Sequence, residues 1–119
     1  MQDLQKRILE ELIDYSPKII AGTKQVIDEL RVAKKKDTEE LFNLVIQGIN
    51  WEIEVFNHCE PLINSKGKKI DKSKMAKAVV RLGKVLQDKD DIKIAACLDV
   101  DFMSFLKSME TAAKEICQK

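Results

Sequence analysis

The sequence predicts an all-α fold: an up-and-down four-helix bundle made of two helical hairpins, with an extra N-terminal helix or kinked extension. Apolar residues recur at three- and four-residue steps along most of the 119 residues, the period of helices that bury one face. No segment reads as a strand. Four glycines and two prolines are too few for a loop-rich β sandwich. On length the chain is a single domain spanning residues 1–119. It can bury roughly two-thirds of its unfolded surface, enough to fold without staples.

The first helix covers residues 3–14, with Leu4, Ile8, Leu9, Leu12 and Ile13 on one arc. Ser16-Pro17 then reads as an N-cap followed by proline at a first helical position. It either starts a second helix or kinks a continuing one. That second segment, 17–35, carries Ile19, Ile20, Thr23, Val26, Ile27, Leu30 and Ala33 inward. Lys34, Lys35 and Lys36 close it, at the negative end of its dipole. Asp37 and Glu40 form a capping-box spacing for the next helix, which Pro61 should stop. Residues 64–69 are a polar loop. Asp71 caps a helix over 72–87 with the stripe Met75, Val79, Leu82 and Leu86. Residues 88–91 form an acidic turn. The last helix bears an unbroken seam of Ala95, Leu98, Phe102, Phe105, Met109, Ala112 and Ile116. An offset of 53 places Asp37 on Asp90 and Ile49 on Phe102, as a duplicated hairpin would.

Charge and cysteines narrow the function classes. Twenty-one Lys+Arg against 20 Asp+Glu give a net charge of +1, which argues against nucleic acid as a partner. The basic run 34–36 and the lysines between 66 and 74 fall at opposite ends of such a bundle, so no single basic face is expected. No segment has the ~20 apolar residues of a membrane span, and no unbroken apolar stretch near the N-terminus suggests a signal peptide. Cys59, Cys97 and Cys117 are odd in number and widely spaced. They read as small buried hydrophobes in a reducing cytoplasm rather than as disulfide or zinc ligands.

The chemistries that helical bundles host are mostly excluded. The one histidine, His58, follows Val55 by three residues, so the Glu-x-x-His pair of di-iron bundles is absent. No nucleotide-binding glycine loop occurs. No cofactor and no metal are expected. His58 is a possible phosphotransfer histidine, but its place just before Pro61 suits a helix-terminal residue better. One residue breaks its local pattern. Glu52 sits in the wide apolar arc formed by Leu41, Leu44, Val45, Ile49, Trp51, Val55 and Phe56. A lone carboxylate there is costly unless paired or protonated. Glu52 is therefore the centre of a candidate polar site, with Asp99 and Asp101 from the seam edges of the last helix. The plainer reading is a hydrogen bond from Glu52 to a hydroxyl such as Thr23 or Tyr15. Trp51 and Phe56 are the candidate partner-binding residues of the same arc.

Tyr15-Ser16-Pro17-Lys18-Ile19 through Gln47-Gly48-Ile49-Asn50-Trp51, and Asp90-Asp91-Ile92 through Leu98-Asp99-Val100-Asp101-Phe102, carry a resemblance. Their helix spacing, Gly-Ile-x-Trp step and Ala-x-x-Leu-Asp-x-Asp step resemble an uncharacterised group of small helical proteins from Gram-positive, spore-forming bacteria. The resemblance implies a helical fold and brings no activity. The functional expectation is thus a non-enzymatic bacterial interaction module, cytoplasmic, binding another protein or itself through apolar helical surface. A small-ligand or metal site around Glu52 is the alternative.

Overall fold

In a computed structural model, which describes residues 2–65 and 70–118, the chain folds into four helical rods with no strand among the described residues. Helix α1 spans Gln2–Arg31 and α2 spans Thr38–Ile63. Helix α3 spans Lys72–Asp88. The C-terminal rod comprises α4 (Asp91–Cys97), a π-helical turn (Leu98–Phe102) and α5 (Met103–Cys117).

The two segments expected before residue 35 are one helix. Pro17 lies inside it, so the proline's missing N–H does not break the rod. The N-terminal half is no detached extension, because Leu9 and Leu12 are fully buried. At about 1.5 Å per residue, 30 residues reach about 45 Å. The helix therefore runs the full 43 Å long axis of the molecule. It packs against α2, α4 and α5, and α2 also meets α5. Their shared interior holds Leu9, Leu12, Ile49, Phe56, Leu98, Phe102, Leu106 and Met109. Phe56 and Phe105 meet edge-to-face at 6.1 Å. Helix α3 packs mainly on α4 and the π-helical turn. It buries Met75, Ala78 and Leu82, while Val79 and Val80 are exposed. The inward face of α3 is thus turned from the expected stripe, with Ala78 in place of Val79.

Helix α1 and α2 cross closely at their glycines. A Cβ on Gly48 would lie 2.9 Å from Cγ1 of Ile19, and one on Gly22 would lie 3.2 Å from Val45 Cγ2. The absence of side chains there is what lets the two backbones approach.

Of the caps read from the sequence, Asp71 forms, Ser16 does not because α1 runs through it, and Asp90 of the acidic turn supplies a further one. Asp71 accepts from the amides of Ser73 and Lys74, and Asp90 from those of Ile92 and Lys93. Asp37 makes no side-chain cap. A buried network holds that turn instead. Thr38 Oγ1 accepts from the Lys35 amide at 2.7 Å and donates to Glu29 at 2.6 Å, and Gln25 donates to the same carboxylate at 2.8 Å. These bonds, from Thr38 first and Gln25 second, hold the Glu29 carboxyl below its usual range. Pro61 does not stop α2, which continues to Ile63. Asn64 then closes the loop by exchanging hydrogen bonds with the backbone of Ile70 at 3.1 Å each way. Lys66, Lys68 and Lys69 of the expected lysine cluster lie outside the described residues.

Candidate functional site

Glu52 is completely buried in α2, as its apolar arc predicts. Among the described residues neither carboxyl oxygen has a hydrogen-bond partner, and nor does the equally buried Ser16 Oγ of α1. Burial raises the Glu52 carboxyl to about 8. The Ser16 hydroxyl opposes this and the Glu110 charge adds to it. Ser16 is near enough to act on the carboxyl but closes no hydrogen bond with it. At neutral pH Glu52 is mostly a neutral acid. Thr23, the hydroxyl expected to serve it, instead donates to its own helix at Ile19 O, 2.7 Å away. Tyr15 is half-exposed and stacks edge-on against Trp51 at 6.0 Å, with Lys18 Nζ 5.7 Å from its ring centre.

Asp99 and Asp101 do not join Glu52. Asp99 pairs with Arg31 at 3.1 Å, near the far end of α1. Arg31 is fifteen residues beyond Ser16, about 22 Å along the helix. Asp101 is held by Arg81 Nε at 2.7 Å and accepts from Cys97 Sγ at 3.4 Å. Among the described residues no group of three or more His, Cys, Asp or Glu could hold a metal ion. The carboxylates expected to converge are split between a buried orphan and two surface ion pairs, because the seam edges of the C-terminal rod face α1's end and α3.

The expected docking arc on α2 is largely covered by the chain itself. Phe56 is fully buried and belongs to the core, so it is not a partner contact. Trp51 is partly buried and packed on that core, leaving Leu44 as the one well-exposed large apolar residue of the arc. His58 is exposed, with its backbone carbonyl accepting from Gln5 Nε2 at 3.2 Å. Cys59 and Cys97 are buried. Burial raises both thiols, and with the Asp101 carboxylate beside it Cys97 reaches about 11. Neither is a poised nucleophile.

The surface feature that sequence reasoning missed lies between α3 and the C-terminal rod. A cleft of about 640 Å³ opens there. Met75, Ala78 and Phe105 form its floor, Lys74, Lys77 and Arg81 one rim, and Ser104 and Ser108 the other. The signal was present in the spacing of Lys74, Lys77, Arg81 and Lys84. Their steps of three, four and three put all four cations on one helical face. Grouping Lys74 with the preceding loop lysines hid it.

The buried Glu52 carboxyl and the open cleft beside α3 are the two features a functional reading of this all-α chain has to account for. The chain belongs to a family described as a domain of unknown function (DUF8042), matched over residues 7–112. No curated protein and no solved structure matches it.

Proposed function

We propose that the chain is a non-enzymatic interaction module, an up-and-down helical bundle whose working surface is the cleft between α3 and the C-terminal rod. The observation that carries this reading is the cleft itself. It combines an apolar floor with a cationic rim, on the helix that the fold covers least. Val100, 71% exposed, lines it as well. Helical proteins accept partner segments in grooves of this kind. The described cysteines are all free, which suits a reducing cytoplasm, and the family resemblance favours a bacterial source.

Photo-crosslinking tests it. A benzophenone side chain at Val100 or at Ser104 is expected to capture one and the same protein in the source cells, and a benzophenone at Glu39 on α2 is not. Equal capture from all three positions, or none from the cleft, would overturn the reading.

A second reading rests on the orphaned Glu52 and Ser16: a small polar ligand held between α1, α2 and α5. A thermal-shift screen against small cations and polar metabolites, repeated on Glu52→Gln, tests it. The variant should lose any stabilisation the wild type shows.

A further inference from the structure

The cleft's two rims differ in a way that selects an occupant. Lys74, Lys77, Arg81 and Lys84 are all exposed along one face of α3. Arg81 is committed across the cleft to Asp101, with contacts of 2.7 and 3.2 Å. Lys74, Lys77 and Lys84 have no ion pair among the described residues. The opposite rim carries the uncharged Ser104 and Ser108. Its one acid, Asp101, is already neutralised by Arg81, and Asp71 at the cleft's end is spent on capping α3. The cleft therefore presents unbalanced positive charge on one side and an apolar strip beside it.

Length narrows the choice. Arg81 faces Asp101 at one end, and Lys74 is seven residues back along α3 while Ser108 is seven residues on along α5. The cleft is about 10 Å long, and the cationic row to Lys84 reaches about 15 Å. A partner helix of about three turns fits this length. Acidic residues at three- and four-residue steps would meet the lysines, and an adjacent apolar stripe would lie over Ala78 and Phe105 beside Val100. A second copy docked cleft to cleft fits poorly, since it would set lysine row against lysine row. A bilayer fits poorly because the apolar strip lies between two rims rather than on a convex face.

We infer that the cleft between α3 and the C-terminal rod receives an acidic amphipathic helix of a partner protein, read by Lys74 and Lys77 above an apolar floor, with Lys84 continuing the row just past the cleft's end. This rests on the cleft being the binding surface and adds the chemistry of what binds.

The test uses the intact chain, ¹⁵N-labelled, and two synthetic helical peptides that share one leucine stripe. One flanks the stripe with glutamates, the other with lysines. The acidic peptide should shift amides of residues 74–84 and 100–108, and the basic peptide should not. The double variant Lys74→Glu/Lys77→Glu should weaken the acidic peptide roughly tenfold or more and gain affinity for the basic one. Both substitutions sit in the first half of an exposed helix face near its N-terminus, where acids are favourable, and circular dichroism confirms the fold. If both peptides bind the cleft equally, the acidic preference is wrong and the cleft survives as a docking surface. If neither peptide moves these amides, the inference falls, and the Val100 and Ser104 crosslinks decide separately whether the cleft binds anything. If vesicles of equal phosphatidylglycerol and phosphatidylcholine shift the α3 amides while the peptides do not, a membrane replaces the partner helix.

Discussion

Replacing Glu52 with glutamine should remove most of the pH dependence of stability between pH 5 and 8.5. The carboxyl stands at about 8 in the folded chain against an ordinary 4.5, chiefly because it is buried. Over that interval the folded state keeps a proton that the unfolded chain has released. Stability therefore falls as pH rises. Below 4.5 the group is protonated in both states and costs nothing by ionisation. At about 1.4 kcal/mol per pH unit, the loss grows to about 3 kcal/mol at pH 7 and saturates near 5 kcal/mol above pH 8. That is a large share of the roughly 5–15 kcal/mol that holds such a domain. Glutamine keeps the shape and cannot ionise, so its curve should be nearly flat and should rise above the wild type at alkaline pH. Leucine also removes the orphaned polar atoms and should be more stable than the wild type throughout. Urea titrations at pH 5, 7 and 8.5 measure this directly. Wild-type and Glu52→Gln stabilities that run parallel across the range would refute the buried, neutral carboxyl.

Other substitutions probe the packing and the turns. Gly48→Ala gains about 1 kcal/mol of helix propensity but drives a methyl against three atoms of Ile19. The crowding should win, with a net loss of about 1–2 kcal/mol by chemical denaturation. Phe56→Ala should cost about 3–5 kcal/mol, whereas Trp51→Ala, at a partly buried site, should cost clearly less in the same titration. Thr38→Val removes the hydroxyl that both anchors Glu29 and accepts from Lys35. It should lower the melting temperature at pH 7. Because Glu29 is held below its usual range, the stabilisation it gives is present at neutral pH and fades as pH drops through the folded value below 4.5, so the wild type and variant should converge in acid melts.

The helices and most of the core were legible because burial obeys periodicity. Ala95, Leu98, Phe102, Phe105, Met109 and Ala112 are all buried as their spacing requires. Burial of Glu52 was legible for the same reason. The group facing it was not, because Ser16 is brought opposite it only when α1 continues through Pro17. Proline and a capping serine look alike whether a helix starts or carries on. The Asp37 cap failed for a related reason. Glu29 lies in the last turn of α1 and reaches Thr38 only once the hairpin has closed. The cleft required knowing that α3 turns Ala78 rather than Val79 inward, and the apolar period alone permits both. Phe56 and Trp51 share one apolar arc in sequence, and only the packing of α1 and α5 against it separates a core residue from a core-edge one.

The π-helical turn at Leu98–Phe102 has a consequence for how the chain's length can vary. In an α-helix each residue advances the face by about 100°, so losing one residue from α5 would swing every later core residue aside. The wide turn differs, since it takes up one residue more than an α-helical turn while the helix continues on either side. It is a store of slack. Removing Val100, which is mostly exposed, would let the turn relax into ordinary α-helix with Phe105, Met109 and Ala112 still facing inward. What would be displaced is Asp101, and with it the anchor of Arg81 across the cleft. The extra residue thus bears on the surface rather than the core, and a chain one residue shorter here would keep its fold while reshaping the cleft that Val100, Asp101 and Arg81 line.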